Sequence, residues 1–302
     1  MAVNEIVTAR PATAESYAWW ASLKHGGLLI APSHLAQSFP EDLPPLPRYL
    51  DDRLRRDVMR ASDGRAESVA KLLDTVLEDV LGLENDPSDV ATRGRWFKGA
   101  DLPSEWSSRA MTGEVIKPRR LWRGPRGAVL PVFVESGGGA RLGIGRGRRA
   151  TSRVIEWLRY TGQKIALLTN GRQWRLIYAG LDHDAFAEWD TALWFEEGKA
   201  GPQVTALRAL LGRDALVPRV EGELPPLLAA ITASRKGQAE LSAALGERVR
   251  QAVELLIREH AQALEGLGPN VKPSDIYHAA THVVMRMVVT LFAEARDLLP
   301  RD

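Results

Sequence analysis

The chain has 302 residues, a formal net charge of +2, 45% hydrophobic residues and no cysteine. The apolar content is enough for a sizeable core, and the missing cysteine excludes disulfides, a thiolate nucleophile and cysteine-ligated zinc. No apolar run reaches the about 18 residues needed to span a bilayer, and the first twenty residues lack an apolar signal core, so the expectation is a cytoplasmic protein with no membrane partner.

Three regions follow one another. Residues 1–60 read as an extended and partly helical arm, with Trp19, Trp20 and a proline cluster at Pro40, Pro44, Pro45 and Pro47. Proline fixes φ and removes a donor, so Phe39 to Pro47 is expected as a strap lying on another surface, with a short helix from Asp51 to Met59. Residues 61–215 read as a mixed α/β domain. Apolar residues at Val69, Leu72, Leu73, Val76, Leu77, Val80 and Leu81 have helical spacing, and Gly82 is a C-terminal stop. Strands are expected near Val115 to Trp122 and Ala128 to Glu135, then a helix capped by Thr151 that runs through Tyr160. Val154, Ile155, Trp157 and Leu158 mark the buried stripe of that helix. Lys164 to Thr169 reads as a buried central strand. Asn170-Gly171 reads as a two-residue hairpin turn into Gln173 to Ala179, because both residues tolerate positive φ. Ala185 to Trp194 is expected as an edge strand and Val204 to Leu211 as a helix. Residues 216–302 read as helical: a long amphipathic stretch from Glu240 to Leu264, then a helix capped by Ser274 from Asp275 to Leu299 and stopped by Pro300.

Charge is uneven. Between Arg141 and Arg159 stand six arginines and one acid, Glu156. A local basic patch on a near-neutral chain is a pattern for phosphate contact. The cluster Arg53, Arg55, Arg56 and Arg60 is interleaved with aspartates and reads instead as an ion-paired surface.

The most informative stretch is 127–180. A strand ends at a lone carboxylate, Glu135; a glycine- and arginine-rich loop, a helix and two hinged strands follow. The arrangement VFVE…TNGRQWRLIYAG resembles the N-terminal nuclease-like region of restriction–modification proteins. It resembles most the adenine-methyltransferase proteins of type IIG restriction and of the BREX and DISARM phage-defence systems. The run MRMVVTLFAEARDLLP is similar to the helix that leads into their methyltransferase domain. The resemblance covers roughly residues 66–302. It implies a degenerate PD-(D/E)xK restriction-endonuclease-like core, a helical domain leading toward a methyltransferase domain, DNA as partner and other defence-system proteins as further partners. S-adenosylmethionine is expected only in a following domain, since Asn85-Asp86-Pro87-Ser88 lacks the second proline and the aromatic of an adenine-methyltransferase motif.

A nuclease of this class needs an aspartate on one strand and Glu-x-Lys on the next, the two acids holding Mg²⁺. Glu135 stands at the glutamate position, but two residues on is Gly137, and Leu121 to Gly127 offers no aspartate. Glu114 and Lys117 have the wrong spacing. The expectation is therefore a core that engages DNA without cutting it. The candidate contacts are Arg146, Arg148, Arg149 and Arg153 on a flexible basic loop and helix start, with Gln163, Lys164 and Asn170 beside them. The alternatives are an active Mg²⁺-dependent endonuclease using Glu135 and a second acid, or an assembly module docking through the tryptophans around Glu188 to Glu197. The Gly143-Ile144-Gly145-Arg146-Gly147 run lacks the spacing of a dinucleotide loop. His278 and His282 share a helix face but lack a third zinc ligand.

Overall fold

The structure is a computed structural model that describes residues 17–110, 113–135, 141–143, 146–266 and 271–295. The chain divides into two compact units, Met1–Arg235 and Lys236–Asp302.

The first unit is a mixed α/β structure built on seven strands. They are β1 (Lys24–Gly26), β2 (Arg95–Lys98), β3 (Arg120–Arg123), β4 (Val129–Val134), β5 (Ile165–Thr169), β6 (Gln173–Ala179) and β7 (Asp184–Asp190), in the spatial order β1-β7-β6-β5-β4-β3-β2. Helix α1 spans Arg48–Ala61, and α2 spans Ala66–Asp74 and continues as a π-helical turn over Thr75–Val80. Helix α3 (Arg146–Thr161) crosses from β4 to β5, which pair in parallel, while the other neighbours in the sheet are antiparallel. Helix α4 spans Pro202–Leu211.

Both faces of the sheet are covered. On one, Trp122, Leu130, Leu167, Trp174, Leu176 and Trp189 pack with α2 and α4. On the other, Leu121, Phe133, Leu168 and Ile177 meet Val154, Trp157 and Leu158 of α3. Hence β5 and β6 are buried at every position, so alternation of polarity along them is weak.

Several local expectations change. The arm from Tyr17 is part of the first unit's core: Tyr17, Trp19, Leu29, Ile30 and Leu35 are buried in it, and Phe39 with them. The strap holds through Trp19 Nε1, which donates to Glu41 O at 2.9 Å, and Arg208, which donates to Pro44 O. The expected edge strand at Ala185 is interior, because β1 pairs along its outer side. Pro118 interrupts the strand expected over Val115 to Trp122, leaving Val115–Ile116 and β3 as separate pieces. Helix α3 starts at Arg146, so Thr151 lies inside it rather than at its cap. In the hairpin after β5, Gly171 alone takes positive φ (89°). Asn170 instead accepts from the N–H groups of Arg172 (3.1 Å) and Gln173 (2.7 Å), so the turn centres on Gly171-Arg172. The stop at Gly82 is present, with φ 66°.

Helix α2 is tied to the sheet by charge. Lys98 and Arg120 are cross-strand partners. Lys98 Nζ reaches Asp74 at 3.0 Å and Glu78 at 3.1 Å, and Arg120 donates to Asp74 and to Ala70 O. Burial alone would raise the Asp74 carboxyl, but hydrogen bonds and charge from Lys98 and Arg120 hold it below the ordinary carboxylate range. A depressed folded value means the contribution is full above the unfolded pKa of about 4 and is lost as pH falls through the folded one. Asp74→Asn should therefore be less stable than wild type at pH 7, with the gap closing toward pH 3. Urea midpoints at several pH values check this, and a gap that does not change with pH would refute it.

In the second unit, the part of α5 (Pro226–Glu259) beyond Arg235 packs on α6 (Pro273–Ala295). Their seam is Val253, Ala280 and Val284, bordered by Val249, Leu256 and Val288. Helix α6 begins at Pro273, so Ser274 is inside it rather than capping it, and the expected stop at Leu299-Pro300 lies outside the described residues. Met285, Met287, Val289 and Leu291 stay exposed.

Candidate nucleic-acid interface

Strands β4 and β5 run in parallel and end together. Glu135 follows β4 and donates its N–H to Thr169 O at 2.8 Å, and Asn170 follows β5. The carboxyl ends of parallel strands, where a crossover helix begins, are the usual ligand edge of such sheets. Glu135 lines a cavity of about 300 Å³ together with Lys117, Arg119 and Arg153. The β3–β4 register pairs Arg120 with Val132, and Arg119 N–H donates to Val132 O at 2.8 Å. Pro118 ends that pairing before Lys117, so Lys117 shares the cavity with Glu135 without being its partner in the sheet. A lysine therefore lines the glutamate's cavity from the segment before β3 rather than from two residues along the glutamate's own strand.

This donor set does not fit Mg²⁺. Among the described residues Glu135 is the one acid lining a cavity that holds three cations, and a hard dication needs several oxygens, usually including more than one carboxylate. Among the described residues no group of three or more histidine, aspartate or glutamate side chains could hold a metal ion. The position of Gly137 lies outside the described residues.

The expected basic loop is largely a helix start. Arg148 and Arg149 lie in the first turn of α3, exposed and with no ion pair among the described residues, and Arg146 opens the helix. Arg153 lies one turn on from Arg149, on the same face, and pairs with Glu114 at 2.9 Å. Glycine is required where the chain doubles back: a Cβ on Gly147 would come within 2.1 Å of Arg141 O. Gln163 and Lys164 fall elsewhere. They precede β5, whereas Asn170 follows it, so the strand of roughly 17 Å separates them from the Glu135 edge. Asn170 itself is engaged in the turn.

A buried polar network beneath this edge was not expected. Arg175 and Glu188 are cross-strand partners, 3% and 5% exposed. Arg175 Nε donates to Glu188 at 2.8 Å, Nη2 to Leu142 O at 3.1 Å and Nη1 to Thr151 Oγ1 at 3.1 Å. Gln173 Nε2 donates to Glu188 at 3.1 Å, and Gln173 Oε1 accepts from Leu142 N–H at 2.8 Å. Both main-chain groups of Leu142 are thus held, and with them the approach to α3. Gly143 leaves room for the guanidinium, which would lie 2.8 Å from a Cβ there.

The other candidates resolve as structure. Arg53 and Arg60 both approach Asp57, Arg53 also meets Asp79, and Arg55 donates to Gly198 O, so this cluster is largely ion-paired. Trp189 and Trp194 are fully buried, which removes the tryptophan docking surface. His278 and His282 are exposed on α6. No protein-family model, curated protein or solved structure matches the chain.

Proposed function

We propose that the first unit grips DNA without cutting it, as the N-terminal module of a restriction–modification or phage-defence adenine methyltransferase. One observation carries the DNA reading. Three arginines, Arg146, Arg148 and Arg149, occupy the first turn of α3, where no acid accompanies them. A helix N-terminus carries partial positive charge, so the exposed guanidinium groups of Arg148 and Arg149 there are each unfavourable by about 0.3–1 kcal/mol. A phosphate placed at this end reverses the sign, drawing on both the free N–H groups and the guanidinium groups. Lys117 and Arg119 extend the same cationic rim past Glu135.

The element order from α2 through β2, β3, β4 and α3 to β5 supports the nuclease-like part of the reading. The single carboxylate in the cavity disfavours the Mg²⁺-dependent endonuclease. Methyl transfer rests on the sequence resemblance, and no residue of this chain is assigned to S-adenosylmethionine.

The test is duplex DNA binding by fluorescence anisotropy across a salt series. Changing Arg146, Arg148 and Arg149 together to alanine should weaken binding roughly 10- to 100-fold. It should also reduce the slope of log K against log salt by about 2–3, since each lost phosphate contact removes about 0.9. The same variant should melt no lower than wild type, because it relieves charge opposed to the helix dipole. Wild-type protein that ignores DNA, or a variant that binds with the same slope, would overturn the proposal.

A further inference from the structure

A second cavity, of about 550 Å³, lies at the other end of β4. The Gly124–Ala128 hairpin precedes that strand and Glu135 follows it, so roughly 20 Å of strand separates the two sites. Three arginines line this cavity, Arg126, Arg213 and Arg219, with one acid, Asp214, and an apolar wall that includes Pro40, Pro125 and Val217.

Arg126 has φ 51° and ψ 35°, and Gly127 follows at φ 76°. With Ala128 N–H donating to Pro125 O at 3.0 Å, this is a turn with positive φ at both central residues. Such turns favour asparagine, aspartate or glycine at the first position, and an arginine there is strained. Strain of this kind persists where the surroundings use the side chain. The Arg126 guanidinium donates to Pro218 O at 3.0 Å. Arg213 donates to Thr92 O and to Arg93 O at 3.1 Å, and it also forms an ion pair with Glu84 at 3.9 Å. Arg219 has no polar partner among the described residues. Carbonyl oxygens orient a guanidinium without neutralising it, so Arg126 keeps its charge at the cavity wall, while Arg213 shares the Glu84 carboxylate with Arg93.

From this we infer that the cavity binds an organic phosphate monoester of nucleotide size. Three arginines against one aspartate give the lining a formal charge of +2, offset in part by Glu84 behind Arg213, so the wall stays cationic and suits the roughly −1.5 to −2 of a phosphate monoester. Planar guanidinium groups suit phosphate oxygens, and the proline and valine wall suits an apolar body. The volume falls within the roughly 300–1,000 Å³ of small-molecule sites. The site is independent of the DNA rim.

The experiment is calorimetric titration of the full chain with AMP, inorganic phosphate and adenosine. AMP should bind, inorganic phosphate more weakly, and adenosine not at all. Arg126→Gly and Arg219→Ala should each weaken AMP at least about tenfold, the loss of one charge-assisted contact. Arg126→Gly should melt no lower than wild type, since glycine takes the left-handed conformation without strain. AMP binding should be unchanged in the variant lacking Arg146, Arg148 and Arg149. Absence of AMP binding at millimolar ligand would overturn the inference. So would equal AMP affinity in wild type and both arginine variants, or adenosine binding as tightly as AMP.

Discussion

Arg175→Met should destabilise the first unit by about 3 kcal/mol, the lower end of what breaking a buried ion pair costs. The change leaves Glu188 buried, with Gln173 at 3.1 Å and the Lys24 ammonium at 3.6 Å as its remaining partners. Lys24 is largely exposed and moderates the loss without removing it. The carbonyl of Leu142 and the hydroxyl of Thr151 also lose their donor, and the ring of Phe186 loses the guanidinium stacked 4.0 Å from its centroid. For a unit of this size the shift in melting temperature is on the order of 10 °C. Chemical denaturation measures it, and a double-mutant cycle apportions it. Replacing Glu188 as well, with leucine, should recover part of the loss, because an apolar pair tolerates burial better than one stranded charge. Strictly additive single-mutant losses would refute the ion-pair explanation. DNA affinity should fall in Arg175→Met even where the protein remains folded, since the network fixes the chain that enters α3.

Much of the sheet was legible because its signals are local. The apolar run 165–169 and the stripe Val154, Trp157 and Leu158 each announce their burial in one short segment. Gly82 and Gly171 mark a helix stop and a turn by the positive φ they adopt. What could not be read is what the chain brings together from afar. Lys24–Gly26 is too short to announce a strand, yet it covers the outer side of β7 and makes that strand interior. Arg175 looks like a solvated residue in an alternating strand until α3 and the Leu142 segment cover it. Lys117 lines the same cavity as Glu135 from the segment before β3, which a one-strand motif such as Glu-x-Lys does not encode. Thr151 has the side chain of an N-cap, but Gly147 allows close approach to Arg141, and the helix begins earlier. Gln163 and Asn170 are seven residues apart in sequence, and an extended strand between them makes that a separation of ends.

Trp157→Ala should cost about 3–5 kcal/mol, the usual range for deleting a buried tryptophan. Trp157 is fully buried on the side of α3 that faces the sheet. Its indole stacks on Trp106 with centroids 5.9 Å apart, meets Phe133 edge-on at 5.2 Å, and donates to Trp106 O at 2.9 Å. The alanine variant loses this packing, leaves a cavity between helix and sheet, and strands the Trp106 carbonyl. Repacking cannot close the gap easily, because Leu121, Leu168 and Ile177 project from strands fixed by their neighbours. Trp157→Phe should lose less, about 1–2 kcal/mol, keeping most of the ring contact while giving up the hydrogen bond. Urea unfolding of both variants tests the ranking, and an alanine variant within 1 kcal/mol of wild type would show that α3 is held by other means. The same helix carries Arg148 and Arg149 at its far end. If the cationic rim acts through their placement, Trp157→Ala should weaken DNA binding although no charge has changed, and Trp157→Phe should bind like wild type. Equal DNA affinity in the alanine variant under conditions where it remains folded would mean that the arginines act as loose charges, not as a surface positioned by the core beneath them.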